Sequence, residues 1–467
     1  MITRLLITLL IVAAGWFLAH RALPFLFVKV GRLFGFSMKL DPLTARRIGR
    51  FKAIKRGHWC FILVTTAFTL SLFLELFMNH KAVYIRYEDR VKFPAVAEWL
   101  NAWVPFAAFS ETARAKDFGL KGEAEVRYRE FARWVDDPAE LERDAKKIEL
   151  GIREDEGRFR AKPTQIFTQR GETYDSTAPL PDFKQDEYTR LRGQAAFLRS
   201  LTPMFASGDV GILMPLHPFS TREQLLSFTG THPLPAFTKG VPILGTDFEG
   251  KEILSQLCYG FRVSFSFAIL VAVIGFSIGI TVGAIMGYFG GWVDIVIQRI
   301  IEVWSSIPFL FTMMIIASIT AAGFVLLVVM LVVLRSWLGI TYTIRGEFYR
   351  EKARDYVQAA RAIGVKSGKI MARHIFPNAL VPVVTFMPFA VVAYIFSLVS
   401  LDFLGFGLPP DVPSWGRLLK VGSENIANHP ELVYFPILAV AVTLFCVVMV
   451  GEAVREAFDP KTYSRLR

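Results

Sequence analysis

The chain has 467 residues, of which 53% are hydrophobic and 20% are charged, and its mean hydropathy is +0.40. This composition excludes an ordinary soluble enzyme and indicates a membrane protein. The formal net charge of +12 does not indicate nucleic-acid binding. The basic residues cluster in two loops between apolar runs, as expected for loops that face the anionic headgroups of the cytoplasmic side of a membrane.

An apolar run opens the chain, at residues 5–30. We interpret it as a retained helix and not as a cleaved signal, since cleavage would place the basic segment that follows it outside, against the positive-inside rule. Further runs approach the roughly 20 residues that a hydrocarbon core requires. They predict six core spans, at 61–78, 263–288, 300–320, 324–337, 380–398 and 433–450.

Orientation follows from the two basic loops, residues 29–56 and 345–373, which both fall on the cytoplasmic side if every span reverses the direction of the chain. The polar segment between the first two core spans is then extracytoplasmic. This scheme requires a very tight turn at Ala322 and Gly323, because no polar loop separates the third and fourth apolar runs.

The extracytoplasmic segment has the composition of a small folded α+β insertion. AVYIRYEDRVKFP alternates as one or two strands do, residues 114–147 have helical character, and a loop with Pro163, Pro179 and Pro181 follows. The three cysteines (Cys60, Cys258 and Cys446) form neither a disulfide framework nor a zinc pattern, so no metal or other cofactor is expected.

One stretch, GTDFEGK at 245–251, fits the spacing of a phosphate-binding loop. We reject that function because Glu252 stands where a hydroxyl should meet magnesium, because Asp247 and Glu249 would repel phosphate, and because no buried strand precedes the stretch. The parity of the spans also places it outside the cell.

Other candidates for chemistry are isolated. The seven histidines show no metal-binding spacing, and we interpret them as solvated or interfacial (His20, His58, His80, His217, His232, His374 and His429). Glu75 lies within a predicted span without a paired base, and we expect its side chain to reach the membrane interface. No catalytic residues are therefore predicted.

A basic loop, YVQAARAIGVKSGKIMARHIFPN at Tyr356–Asn378, is the most informative stretch. Its pattern predicts a short helix over 355–363 that stops at Gly364, a second short helix capped by Ser367, and a new span from Pro377. Two such amphipathic helices favour docking on a protein groove, although a pair that only tethers the loop to lipid has a similar pattern.

Gln358-Ala359-Ala360, Gly364 and Ile375-Phe376-Pro377 resemble the EAA loop of ABC importer permeases. Family members typically carry Glu-Ala-Ala, three residues, Gly, nine residues and Ile-x-Leu-Pro. This chain keeps the spacing but has Gln358 for Glu, His374 for Ile and Phe376 for Leu. The Gln and His variants are familiar in the peptide-importer branch.

Further blocks over residues 244–460 resemble the dipeptide/oligopeptide permeases, in matching order and spacing. They are LGTDFEGKEILSQLCYGFRVSF, GYFGGWVDIVIQR, SLDFLGFGLPPDVPSWGRLL and EAFDP. RRIGRFKAIKRGHW, LSLFLELFMNHKAVYIRY and KFPAV are similar to the Yej-type subgroup. The chain departs from that subgroup in the extra N-terminal span and in a longer exterior segment.

The resemblance implies an all-α polytopic protein of the ABC importer type I (MetI-like) fold, with six core helices, one extra N-terminal helix and an extracytoplasmic α+β insertion. We expect an extra span and basic loop at 1–58, the first core helix at 59–79, the insertion at 80–259, the permease core at 260–458 and a cytoplasmic tail at 459–467. The coupling loop is 342–377.

The resemblance also implies a transport subunit of the bacterial inner membrane, with ATP hydrolysis carried by a separate subunit. Its expected partners are a second permease, two ATP-binding cassette subunits, an extracytoplasmic peptide-binding protein, lipid and a peptide substrate. The residues expected to contact the ATPase lie within 356–369, with the small ones set by close packing. They are Tyr356, Gln358, Ala359, Ala360, Arg361, Gly364, Lys366, Ser367 and Lys369.

Two other functions can be weighed against this one. The chain could be a membrane-anchored scaffold or sensor whose 80–259 region does the work, but a scaffold needs no Gly and Pro breaks at fixed spacing in a cytoplasmic loop. An intramembrane enzyme would need convergent polar residues within the spans, which the sequence lacks.

Overall fold

The computed structural model describes residues 2–22, 24–25, 42–87, 90–103, 127–161, 182–225, 232–238, 242–320 and 323–459. The chain forms two compact units: the helical unit comprises residues 1–72 and 221–467, and the insertion unit is Phe73–Ser220. Several predicted features lie outside the described residues: the end of the N-terminal run, part of the helical stretch 114–147, the proline-containing loop, the turn residue Ala322 and the tail after Asp459.

The described helices, in chain order, are α1 (Ile2–Phe17), α2 (Pro42–Ala53), α3 (Lys55–Ser71), α4 (Leu74–Phe77), α5 (Pro94–Trp103), α6 (Tyr128–Asp136), α7 (Ala139–Ala161), α8 (Asp182–Ala206), α9 (Ile253–Phe289), α10 (Gly291–Ser305), α11 (Phe309–Ile319), α12 (Phe324–Leu331), α13 (Leu338–Lys352), α14 (Asp355–Ala362), α15 (Ser367–Lys369), α16 (Phe376–Leu404), α17 (Trp415–Glu424) and α18 (Glu431–Phe458). Strands are β1 (Tyr84–Tyr87), β2 (Arg90–Lys92) and β3 (Gly211–Leu213). Three π-helical turns extend or join helices: Leu18–Ala22 follows α1, Val332–Ser336 joins α12 to α13, and Ile370–Ile375 joins α15 to α16.

Three described helices are long and apolar enough to cross a membrane: α9, the continuous helix Ser367–Leu404 and α18. Two bent pairs pass the same test of length and composition, α10 with α11 at 66° and the run α12 to α13 at 45°. The predicted third and fourth spans are therefore broken helices. Pro308 precedes α11 and lacks the N–H that would continue α10, which accounts for the first break.

The N-terminal helix packs against α3. A Cβ on Gly15 would lie 2.5 Å from Leu70 Cδ2, so a larger residue there would require the Leu70 side chain to move. His20 Nε2 lies 3.2 Å from the Thr65 hydroxyl oxygen and 3.4 Å from that of Thr66. The half-buried His20 ring therefore contacts hydroxyl groups of a neighbouring helix.

The first predicted core span is displaced in the structure. Its helix begins at Lys55 and ends at Ser71. Lys55 and Arg56 therefore lie in its first turn, where long basic side chains can reach the polar boundary of a membrane. The rest of the apolar run forms α4 in the insertion unit. Glu75, on α4, is 5% exposed, so the expectation that its side chain reaches an interface is wrong.

Helices α9 and α13 are joined along what we call the glycine seam, which consists of Gly275, Gly279, Gly283 and Gly287. These residues are four apart and so share one face of α9. An added Cβ would lie 2.1 Å from the Ser336 hydroxyl oxygen at the first position and 2.5 Å from a backbone oxygen at each of the other three. The two backbones are in direct contact, a packing mode that small residues permit between membrane helices.

The loop that follows α16 is organised by a buried carboxylate. Asp402 Oδ1 accepts a hydrogen bond from Leu408 N at 2.6 Å, and Oδ2 accepts one from the Ser414 hydroxyl, which caps α17. Arg417 donates to the carbonyl oxygens of Leu408, Pro409, Pro410 and Val412. The loop is therefore held in one conformation by hydrogen bonds to one anion and one cation.

The insertion unit is α+β. Its sheet has the order β2-β1-β3, with both pairs antiparallel and with Arg86 opposite Val91 on one side and Gly211 on the other. This confirms strands in AVYIRYEDRVKFP, whereas β3 was not predicted. Helices α7 and α8 are tied by Arg199, which donates to Glu149 and Glu142 at 2.7–3.1 Å.

The insertion unit ends earlier than the predicted region 80–259. Residues after Ser220 belong to the helical unit because they hydrogen-bond to the segment that leads into α9. Leu225 N donates to Gly250 O at 2.9 Å, and Thr246 N donates to Leu234 O at 3.1 Å.

Candidate coupling loop

The helix α14 ends in a Schellman motif, a hydrogen-bonded stop that requires a left-handed residue. Gly364 has φ +78°, its N–H donates to Arg361 O at 2.9 Å, and Val365 N donates to Ala360 O at 3.1 Å. These are the two bonds that define the motif. The predicted stop at Gly364 is confirmed, and the helix runs one residue shorter than predicted.

One face of α14 is buried. Val357 and Ala360 lie in a hydrophobic cluster with Ile344 and Phe348 of α13 and with Ile370 of the π-helical turn. An apolar contact area of this kind fixes the roll of the helix, since only one face can enter the cluster. The loop is therefore seated on the ends of α9, α13 and α16.

A polar contact ties the first turn of α14 to both neighbouring helices. The Tyr356 hydroxyl donates to Glu351 Oε2 at 2.7 Å, and Asn378 Nδ2 lies 3.2 Å from the Tyr356 hydroxyl oxygen. Burial, together with the bond to the Glu351 carboxylate, raises the pKa of Tyr356 above its ordinary value. The phenol therefore stays protonated and remains a donor at neutral pH.

Gln358 stabilises the end of α13. Its Nε2 donates to Lys352 O at 3.0 Å, and Lys352 is the last residue of α13, where carbonyl groups lack partners within the helix. A carboxylate at this position could not donate this bond, and its charge would oppose the negative end of the helix dipole. The glutamine in this chain is therefore suited to its contact in a way that glutamate is not.

Arg361 lies against α9. Its guanidinium carbon is 5.3 Å from the centroid of the Tyr288 ring, and Lys352 Nζ is 5.8 Å from the same centroid. Cations at this distance from an aromatic face are attracted by the ring. We call Tyr356, Gln358 and Arg361, with their partners, the polar clamp.

The opposite face of the loop is exposed. Ile363, at the tip, is 80% exposed, which is unusual for a large aliphatic residue. It lines a shallow, open depression together with other residues of the loop, namely Gly364, Val365, Lys366, Gly368 and Lys369. We call the exposed residues the docking face; they are Ala359, Ile363, Lys366, Ser367 and Lys369.

The expectation that the small residues are set by close packing holds only in part. Ala360 is buried, but Ala359 is exposed, and an added Cβ on Gly364 would meet nothing within 4 Å. Backbone conformation and not space explains that glycine. Ser367 is the first residue of α15 and not its cap, a place taken by Lys366.

A salt bridge that the sequence did not reveal fixes α13 beside the loop. Arg345 Nε and Nη2 each lie 2.6 Å from an oxygen of Asp294, near the start of α10. Such a bidentate pair restrains both distance and orientation. Asp294 lies in the family-like block GYFGGWVDIVIQR and Arg345 lies 51 residues later, so only their contact in the fold shows that they interact.

The carboxylates in and next to the GTDFEGK stretch accept hydrogen bonds from neighbouring backbone N–H groups. Asp247 Oδ1 accepts from Glu249 N and Lys251 N at 2.9 Å, and Gln256 donates to Oδ2 at 2.7 Å. Glu252 caps α9 by accepting from Leu254 N and Ser255 N. The backbone N–H groups that a bound phosphate would need therefore already donate to carboxylates. This agrees with the rejection of a phosphate site.

The histidines remain dispersed, and no group of metal-ligating side chains occurs within the described part of the chain. Several of their rings lie within hydrogen-bonding distance of another side chain. His80 Nδ1 lies 2.8 Å from the Ser220 hydroxyl oxygen, His232 Nδ1 lies 2.8 Å from that of Thr246, and His429 Nδ1 lies 3.1 Å from Glu431 Oε1. The first contact joins residues 140 positions apart, and the other two join residues 14 and 2 apart.

Residues 279–463 match the family described as binding-protein-dependent transport system inner membrane component. The chain is 33% identical to the peptidoglycan transport system permease protein YejE of Agrobacterium fabrum, over 90% of this chain and 94% of that one. It is 30% identical to the inner membrane ABC transporter permease protein YejE of Escherichia coli, over 90% and 98%.

The oligopeptide transport system permease protein OppC of Haemophilus influenzae is 34% identical over 48% of this chain and 71% of its own length. Among solved structures, the chain is similar to one from the inward-facing MetNI methionine ABC transporter, with a TM-score of 0.35, 16% identity and coverage of 44% and 96%. By its full-length relatives, the chain belongs to the binding-protein-dependent transport system inner membrane components, as a Yej-type permease subunit of an ABC importer and not an enzyme.

Proposed function

We propose that this permease moves oligopeptides or peptide-like compounds across the bacterial cytoplasmic membrane. The names of its relatives refer to peptidoglycan, oligopeptides, dipeptides and glutathione, which share peptide-type amide bonds. The subunit pairs with a second permease around the path, and a peptide-binding protein delivers substrate from outside. The membrane domain has six core helices and an extra one, α1, with the insertion unit on the extracytoplasmic side.

The coupling loop connects this membrane domain to two ATPase subunits. When ATP closes these subunits, the loops on the two permeases are drawn together and the helices switch between inward-open and outward-open states. Because the polar clamp and the buried face hold α14 to α9, α13 and α16, a force on the loop reaches those helices directly.

The observation that carries this assignment is the 80% exposure of Ile363 on a loop that is otherwise firmly seated. An exposed aliphatic side chain in a depression that Lys366 and Lys369 also line fits an apolar groove with an acidic rim. Docking of this face, and the roles of the clamp residues behind it, are parts of the same proposal.

The test is purification of the tagged chain with its partner subunits from membranes, comparing Ile363→Glu with Ile426→Glu. Both isoleucines are largely exposed, at 80% and 51%, so neither change should disturb folding, but Ile426 follows α17 and is not on the loop. We expect Ile363→Glu to lose the ATPase subunits and Ile426→Glu to retain them. Equal recovery of the ATPase subunits with both variants would contradict the proposed role of the docking face. Recovery of the chain alone from wild-type membranes would favour a scaffold.

A further inference from the structure

Helix α10 has three faces, which is unusual in a membrane span. Ile301 is buried against the unit. A second face is apolar and exposed, with Trp292, Ile300 and Val303 at 80%, 58% and 72%. The third face is polar and includes Gln298, Glu302 and Ser305, which are spaced at i, i+4 and i+7 and therefore form one stripe.

The polar face carries an intact ion pair. Glu302 accepts from Arg299 Nη1 at 2.6 Å and from Gln298 Nε2 at 3.0 Å, and the two charged side chains are 39% and 75% exposed. Arg299 lies one turn before Val303, at the edge of the apolar face, and reaches Glu302 from there. We call Gln298, Glu302 and Ser305, with Arg299 at their edge, the polar stripe. The apolar face beside it is suited to lipid, but exposed charges in a span are costly in hydrocarbon and so face water or protein.

The stripe leads to a break in the span. Between Ser305 and Phe309 the helix axis turns by 66°, and Pro308 prevents α10 from continuing. Broken helices at membrane depth are tolerated where they line a cavity, and in transporters they often mark the binding site. Two independent features, charge and a break, therefore coincide on α10.

We propose that the polar stripe of α10 forms one wall of a water-filled path and binds the backbone of the translocated peptide. Amide, carboxylate, guanidinium and hydroxyl groups can together pair with peptide N–H and C=O groups and with both charged termini. The N–H and C=O groups and the charged termini are common to all peptides, so this wall does not select peptides by their side chains. The inference rests on the proposed function of this chain as a peptide permease.

Accessibility of single cysteines tests the position of the stripe. In the complete transporter, with Cys60, Cys258 and Cys446 replaced by alanine, Ser305→Cys and Ile300→Cys are treated with a membrane-impermeant cationic methanethiosulfonate. We expect Ser305→Cys to be labelled and Ile300→Cys, on the apolar face, to be protected by lipid. Protection of both would mean that the stripe packs against protein, and equal labelling of both would mean that α10 does not border lipid; either result overturns the proposal.

Uptake of an isotope-labelled peptide mixture tests recognition. Glu302→Gln and Arg299→Gln should each lower uptake about tenfold, the loss expected for a hydrogen bond to a charged group, while Val303→Ala leaves uptake unchanged. ATPase subunits should co-purify with all three variants and retain basal hydrolysis. Unchanged uptake in both stripe variants overturns the proposal, whereas failure of wild type to recover any ATPase overturns the proposed function instead.

Discussion

The guanidinium of Arg361 lies 5.3 Å from the centroid of the Tyr288 ring, so the cation of the coupling loop is held against α9 of its own chain. The sequence analysis places Arg361 among the residues expected to contact the ATPase. In the structure the Arg361 side chain contacts Tyr288 of its own chain. Either this contact or a contact with the ATPase would make Arg361 important for coupling.

A double-mutant cycle separates the two roles of Arg361. If it acts through the ring, Arg361→Ala and Tyr288→Leu should each lower the ratio of transport to ATP hydrolysis, and the double variant should be no worse than either one. Each step is expected to cost about 1 kcal/mol, the size of a partly exposed cation–π contact. Additive losses would instead indicate that Arg361 contacts the ATPase.

Gln358→Glu should loosen the end of α13. The new carboxylate cannot donate to Lys352 O and would stand at the negative end of a helix, a change worth about 1 kcal/mol. Hydrogen exchange of the backbone amides that follow Lys352 is the measurement. Ala362→Glu introduces the same charge on an exposed neighbouring residue and is the control. Equal exchange in the two variants would refute the role of the amide.

Gly364→Ala should weaken coupling, whereas Gly368→Ala should not. An added Cβ meets nothing within 4 Å at either position, but only Gly364 has a positive φ, of 78°. Alanine there costs about 1–2 kcal/mol in the left-handed conformation. The ratio of peptide uptake to ATP hydrolysis measures the effect, and similar values for both variants would show that the left-handed turn is dispensable.

Loss of the Asp294–Arg345 bridge should destabilise the helical unit. Arg345→Ala is expected to cost about 2 kcal/mol, since the pair is bidentate and partly buried. Thermal unfolding of the purified protein in detergent gives the value. Glu456→Ala, which breaks the more exposed Arg56–Glu456 pair, should cause a smaller shift. A larger shift for Glu456→Ala would contradict the assignment.

Asp247 should make stability depend on pH. Burial raises the pKa of this carboxyl, so the folded protein holds the proton more tightly than the unfolded chain. Its contribution is then greatest at acid pH and declines as pH rises from about 3.9, the unfolded value, through the raised folded value. Asp247→Asn should flatten this part of the curve of unfolding temperature against pH; an unchanged curve would assign the dependence to other groups.

The sequence predicted features that depend on local patterns. The stop at Gly364 needs only a residue that tolerates positive φ, and strands β1 and β2 are signalled by alternation in AVYIRYEDRVKFP. The order of apolar runs located most of the long helices. These are properties of neighbouring residues, and they can be inferred without knowing the fold.

What the sequence did not reveal depends on residues far apart in the chain. Strand β3 has three residues and exists through its pairing with β1. The partner of Arg345 is 51 residues away, and the acceptor of Gln358 is a backbone carbonyl that no side-chain pattern identifies. Glu75 was misjudged because its burial depends on the insertion unit and not on its place in an apolar run.

The glycine seam limits where this protein can open. With the backbones of α9 and α13 in contact, no space remains between them for water or an acyl chain, and any separation would lose close van der Waals packing. A passage for substrate that leaves this contact intact would border other faces of these helices. Larger residues at the seam would act as wedges and would be expected to favour one transport state without touching substrate or nucleotide.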